Sequence, residues 1–161
     1  VLWRGLRRGE IQTISTDHCS FTLAQKDAGR EDFTKIPGGL PGVETRGELI
    51  YSYGVAAKKL SLAQMCRVLS ENPAKLYGLY PHKGVLAPGS DADIVIYDPG
   101  DSHVIRAEDC VANVDYNPYE GFVTAGGIRE VWLRGRKTVE NGKVLDTVPA
   151  GMYLARGKCD L

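Results

Sequence analysis

Asp17 and His18 are the residues whose types and spacing first suggest chemistry. A carboxylate can hold a hard cation or accept a proton, and the imidazole beside it can orient it. They close a short β-branched run, Thr13, Ile14, Ser15 and Thr16, that reads as a strand. An acid and an imidazole at the C-terminal edge of a strand occupy the position where alternating β/α barrels carry their catalytic groups. The competing reading is a turn, with Asp17 capping it and His18 bonded to nearby backbone. Beyond them, Cys19 to Val43 is mixed and polar and ends in Ile36-Pro-Gly-Gly-Leu-Pro-Gly-Val43, which sustains neither a helix nor a central strand. Because this loop follows directly on Asp17, it lies over the same end of the sheet. It is either a plain surface loop or one whose glycines admit a ligand close to the backbone. No Gly-Lys-Ser/Thr follows, so it is not a phosphate-binding P-loop.

The elements that would position these residues follow from periodicity. Leu2, Trp3 and Leu6 are at helical spacing, and Arg7-Arg8 then Gly9 mark a helix end. Helix, short turn and buried strand make the αβ unit of a parallel sheet. From Glu44 to Leu60 a helical stripe returns through Leu49, Ile50, Tyr53, Ala56, Ala57 and Leu60. Ser61 with Gln64 is a capping box opening a second helix with Leu62, Met65, Cys66 and Leu69 as its buried face. Asn72-Pro73 caps a third, which Gly78 ends. After Pro81 the pattern changes to short strands and tight turns: Ile94-Val-Ile96, Val131-Trp-Leu133, Lys137-Thr-Val139 and Lys143-Val-Leu145. Gly135-Arg136 divides one pair and Asn141-Gly142 another. The expected division is therefore residues 1–78, barrel-like, and 79–161, β. Asp91, Asp93 and Asp98 are read as period-2 exposure around a turn rather than a metal site.

Among 161 residues, 20 Lys and Arg balance 20 Asp and Glu, so no bulk charge favours nucleic acid or an acidic membrane surface. Hydrophobic content of 43% is that of a folded chain, and no apolar run approaches the roughly 20 residues needed to span a bilayer. The expectation is a soluble, cytoplasmic protein. Cys19, Cys66, Cys110 and Cys159 are scattered and read as free thiols. The chain opens inside a helix, at Val1, and is expected to be a piece of something longer.

Several stretches together resemble the dihydropyrimidinase and hydantoinase branch of the amidohydrolase superfamily. They are Thr16-Asp-His-Cys-Ser-Phe21, Phe33-Thr-Lys-Ile-Pro37 with Gly42-Val-Glu44, Asn72-Pro-Ala-Lys75, Gly89-Ser-Asp-Ala-Asp-Ile-Val-Ile96 and Asn113-Val-Asp-Tyr-Asn-Pro-Tyr-Glu-Gly121. The resemblance implies the last part of a metal-dependent TIM barrel followed by a small β-sandwich, an α/β fold. It implies hydrolysis of the ring amide of dihydropyrimidines or 5-substituted hydantoins to N-carbamoyl amino acids. By the same resemblance, Asp17 ends the last barrel strand, binds one metal of a zinc pair and acts as general base. The main chain at Gly38, where the family has Asn, contacts the cyclic amide, and His18 lies just outside the ligand shell. A homo-oligomer, dimer or tetramer, is implied as well.

The family's other ligands, a His-x-His pair, a carboxylated lysine and two later histidines, have no counterpart among His18, His82 and His103. A closed barrel also takes roughly 250 residues. This chain is thus expected to be a C-terminal fragment of a cyclic amidase, inactive by itself. The alternative is a non-catalytic dihydropyrimidinase-related assembly protein. The feature that separates the two, the upstream His-x-His and lysine, is not among these residues.

Overall fold

The structure is a computed structural model that describes residues 1–145 and 151–161. Helix α1 (Leu2–Arg8) ends as its sequence requires. Gly9 adopts a left-handed φ of 75° and its N–H meets the Gly5 and Leu6 carbonyls. Leu6 packs with Leu60 and Val68 into the buried core of this half, with Trp3, Ile11, Ile14, Ile50 and Leu69 around it.

Residues 13–16, expected as a strand, form none. Their segment is held instead by the Ile14 N–H donating to the Val68 carbonyl (3.1 Å) and by Asn72 Nδ2 donating to the Gln12 carbonyl (2.7 Å). A barrel strand is defined by the ladders on its two sides, and the described residues supply no strand on either. The polar segment after Cys19 is more ordered than its composition suggests: it contains α2 (Leu23–Asp27) and a 3₁₀ turn, Phe33–Lys35.

The following helices depart from the simple stripe. Helix α3 (Arg46–Ile50) passes into a π-helical turn, Tyr51–Ala56. Helix α4 (Leu62–Cys66) passes into another, Arg67–Glu71, and then into α5 (Asn72–Leu76). The capping box at Ser61 is present, its hydroxyl accepting the Gln64 N–H (3.1 Å) while Gln64 Oε1 accepts the Ser61 N–H (2.9 Å). Asn72, however, is not a cap. The backbone is already helical at Glu71, so the second and third expected helices are one. Pro73, which has no N–H to give, falls where the π turn has already interrupted the ladder. The extra residue in each π turn also rotates the buried stripe. Ser52 and Gly54 are buried where Tyr53, Ala56 and Ala57 are expected from the stripe, and those three are exposed. Likewise Leu62 and Cys66 are exposed, Met65 is half-buried, and Val68 enters the core.

The second half is a four-stranded antiparallel meander: β1 (Ile94–Asp98), β2 (Gly127–Leu133), β3 (Arg136–Glu140) and β4 (Lys143–Val144) in spatial order. Both tight turns are built from consecutive left-handed residues, Arg134 (φ 51°) with Gly135 (77°) and Asn141 (48°) with Gly142 (72°), as type I′ hairpins demand. The first lies one residue earlier than expected. Asp91 and Asp93 are not period-2 surface residues. Lys83 Nζ meets Asp91 Oδ2 at 2.9 Å and also Asp93, while Asp93 Oδ1 accepts the Arg134 N–H (2.8 Å), so the pair fastens the chain before β1 to the β2–β3 turn.

The halves are joined by side-chain acceptors on or beside the α3 helix. Glu44 takes the Val111 and Ala112 N–H groups on its two oxygens, Glu48 takes the Ile128 N–H (3.1 Å), and Ser52 Oγ takes that of Ala125 (2.8 Å). The 151–161 segment returns to the end of α5, with the Gly157 N–H on the Gly78 carbonyl (2.8 Å) and the Asp160 N–H on that of Lys75 (3.0 Å). A Cβ on Gly78 would lie 2.3 Å from the Gly157 oxygen, so glycine is required there.

Candidate active site

Asp17 has a left-handed φ of 46°, a conformation that Asp tolerates better than most residues, and its side chain is exposed. No hydrogen bond engages its carboxylate among the described residues. Its carbonyl accepts a long contact from Cys19 Sγ (3.4 Å). Asp17 is therefore not spent as a turn cap, and its carboxylate is available for ligation or proton transfer.

His18 holds the Gly-rich loop against this turn. Its Nδ1 faces the N–H groups of Gly42 (3.1 Å) and Val43 (3.4 Å), and the Cys19 N–H donates to the Leu40 carbonyl (3.1 Å). An Nδ1 that accepts from amides leaves the proton on Nε2, so the ring offers a donor, not a metal-binding lone pair, to its surroundings. Gly39, at φ 99°, sits against Cys19 so tightly that a Cβ would come within 2.4 Å of the sulfur. Asp17, His18 and the 36–43 loop are thus brought together.

Gly38 itself is exposed. A Cβ there would meet nothing within 4 Å, and neither its N–H nor its carbonyl has a partner among the described residues. Its free peptide groups suit a planar amide. Tyr116 has its hydroxyl buried without a hydrogen bond, and burial, with lesser contributions from Asp115 and Cys19, pushes its pKa up, so it stays a neutral phenol. Asp115 accepts the Leu23 N–H (2.8 Å) at the first turn of α2.

Two contributors escaped the sequence reading. Lys26 donates to the carbonyls of both Pro37 and Gly39, and Asp115 ties the Asp-Tyr-Asn-Pro stretch to α2. A signal was available: Thr22 and Gln25 form a capping box like that of Ser61 and Gln64, and it fixes the helix that presents Lys26. His82 is exposed, and His103 lies away from the site with Nε2 3.4 Å from Glu48.

The described residues contain no group of three or more His, Cys, Asp or Glu able to enclose a metal ion. Asp17 fits as one oxygen ligand, but these residues alone do not make a binuclear centre.

The chain belongs to the amidohydrolase family, whose profile matches residues 1–144. Within that family its similarity is to hydantoinases and dihydropyrimidinases. It is 43% identical over 160 residues to a D-hydantoinase of Streptomyces coelicolor, covering 99% of this chain and 34% of the relative. A D-phenylhydantoinase of Escherichia coli is 42% identical over 156 residues, again with 34% of the relative covered. Among solved structures, the dihydropyrimidinase of Brevibacillus agri superposes with a TM-score of 0.87 at 45% identity, over 89% of this chain and 32% of that one. The chain therefore spans about a third of the length of the relatives it matches. No helix among the described residues is long and apolar enough to cross a membrane.

Proposed function

We propose that this chain works as part of a cyclic amidase that opens dihydropyrimidine or 5-substituted hydantoin rings to N-carbamoyl amino acids. In this reading residues 1–78 complete a TIM barrel and residues 79–161 belong to a β-sandwich, with the remaining strands and metal ligands supplied from outside these 161 residues. The observation that carries the reading is an unengaged Asp17 carboxylate held beside a loop whose Gly38 peptide groups are also unengaged.

In the proposed reaction, Gly38 binds the ring amide through its main chain. Asp17 would hold one metal of a pair through a carboxylate oxygen, and its carboxylate would take the proton from the attacking water and return it to the ring nitrogen as the C–N bond breaks. When bound, the metal supplies hydroxide at neutral pH and polarises the ring carbonyl. His18 holds the Gly-rich loop so that acid and amide contact stay in register. Assembly into a homo-oligomer belongs to the same proposal.

The test is an assay of the full-length protein carrying this chain, with dihydrouracil and hydantoin as substrates and metal content measured alongside. Turnover that vanishes on chelation and returns with zinc is expected. Absence of turnover on both rings together with absence of bound metal overturns the reading.

A further inference from the structure

We propose that Lys26 is a positioning residue for substrate: its ammonium bridges the Pro37 and Gly39 carbonyls and so fixes and polarises the Gly38 peptide that faces the ring amide. This rests on the reading of Gly38 as the substrate contact.

The argument starts from the loop itself. Residues 36–42 contain three glycines and two prolines, and Gly38 has no internal hydrogen bond, so little in the local sequence selects one orientation of its peptide planes. A backbone contact to substrate is worth little if the peptide must first be ordered. Lys26 supplies the missing restraint from outside the loop. Its Nζ donates to the carbonyls on either side of Gly38, those of Pro37 and Gly39. Lys26 has no carboxylate within ion-pair distance among the described residues, and these two oxygens are its hydrogen-bond acceptors.

The Pro37 carbonyl and the Gly38 N–H belong to one peptide unit. An ammonium on that oxygen draws electron density along the unit and makes the N–H a stronger donor, as in any cooperative chain of hydrogen bonds. The effect is aimed at the group with which a substrate carbonyl would pair. Lys26 is itself held. The capping box of Thr22 and Gln25 fixes the start of α2, Asp115 Oδ1 binds the Leu23 N–H, and Nζ lies 5.3 Å from the centre of the Phe21 ring. Asp115 and Gly38, far apart in sequence, are linked through α2 and this single side chain.

The experiment uses the full-length enzyme with Lys26→Met and Lys26→Arg, reading kcat and KM for dihydrouracil, thermal stability, and amide hydrogen exchange across residues 36–42. Lys26→Met is expected to raise KM roughly ten-fold with kcat little changed, and to speed exchange at Gly38 and Gly39. Lys26→Arg, which keeps a charged donor, should restore most of both. An unchanged KM with unchanged exchange overturns the proposal. A parallel fall in kcat and Tm with no split between kcat and KM overturns it too, since Lys26 is then only part of the scaffold. If the unmodified enzyme opens no ring, the functional reading fails separately, and the exchange measurement still decides whether Lys26 holds the loop.

Discussion

The β2–β3–β4 hairpins and the Asp17 site are built by opposite means. The β2–β3 and β3–β4 hairpins close through turns of adjacent residues, each with its left-handed pair, and every strand pairs with its neighbour in sequence. At the site each restraint reaches across the chain: His18 to Gly42, Asn72 to Gln12, Asp115 to Leu23, Lys26 to Pro37 and Gly39. The two hairpins are specified locally, whereas the pairing of β1 with β2 and the restraints of the site depend on the assembled fold. Changes in the sheet region should therefore register in stability, and changes at the site in turnover.

The sharpest separation is expected from Asp17→Ala in the full-length enzyme. Turnover should fall at least roughly a thousand-fold while Tm drops by only a few degrees, because an exposed, unbonded carboxylate contributes chemistry and no packing, and Ala at the left-handed φ of 46° costs about 1 kcal/mol. Steady-state kinetics with a melting curve checks both halves of that statement.

Asn72→Ala probes the link between the two regimes. Asn72 is buried and its amide is bonded to the Gln12 carbonyl, so its loss leaves a polar group unpaired and should cost about 2 kcal/mol in denaturant titration. Activity should fall with it, since the same bond holds the segment leading to Asp17.

Lys83→Met acts on the sheet side alone. Burial works against the charge on Lys83, but hydrogen bonds to Asp93 and Asp91 outweigh it and raise its pKa. The hydrogen bond from Lys83 likewise holds Asp91 below its usual 3.8. A depressed carboxylate adds stability that is complete above pH 3.8 and fades as pH falls through the lower folded value. The Tm gap between wild type and Lys83→Met should be several degrees at neutral pH and shrink on acidification, with kcat unaffected throughout.

Tyr97→Phe should have the smallest effect. The Tyr97 hydroxyl is buried beside Ser52 without a well-aligned hydrogen bond, and burial, only partly offset by Ser52, pushes its pKa up to about 12. The folded state thus holds the phenol neutral above its ordinary value of 10.0, so stability is intact below pH 10.0 and declines towards about 12. Phe in its place should change neutral-pH stability by no more than about 1 kcal/mol and remove this alkaline decline.

This contrast also explains what could be read in advance. Gly9, the Ser61 capping box, Asn141-Gly142 and the strand cores are short-range signals, and each appears where the residues indicate. The fusion of α4 with α5 could not be read, because Asn72-Pro73 is a good helix start in isolation and only the π turn before it makes the helix continuous. The Thr13–Thr16 run has strand-forming residues, but a strand exists only with partners. Asp17 and His18 stand out by type at the end of a β-branched run, and Gly38 through motif resemblance, whereas Lys26 looks in sequence like any exposed helical lysine.

The contact between Gly78 and Gly157 has a consequence for heredity. The constraint is one-sided: Gly78 has a left-handed φ of 64° and no room for a Cβ beside the Gly157 backbone, while a Cβ at Gly157 would stand 3.2 Å from the Gly78 oxygen. A side chain at Gly78 would expel the returning segment and free position 157 to drift. Among descendants of this sequence, Gly78 should be kept while the returning segment docks, and position 157 should vary sooner.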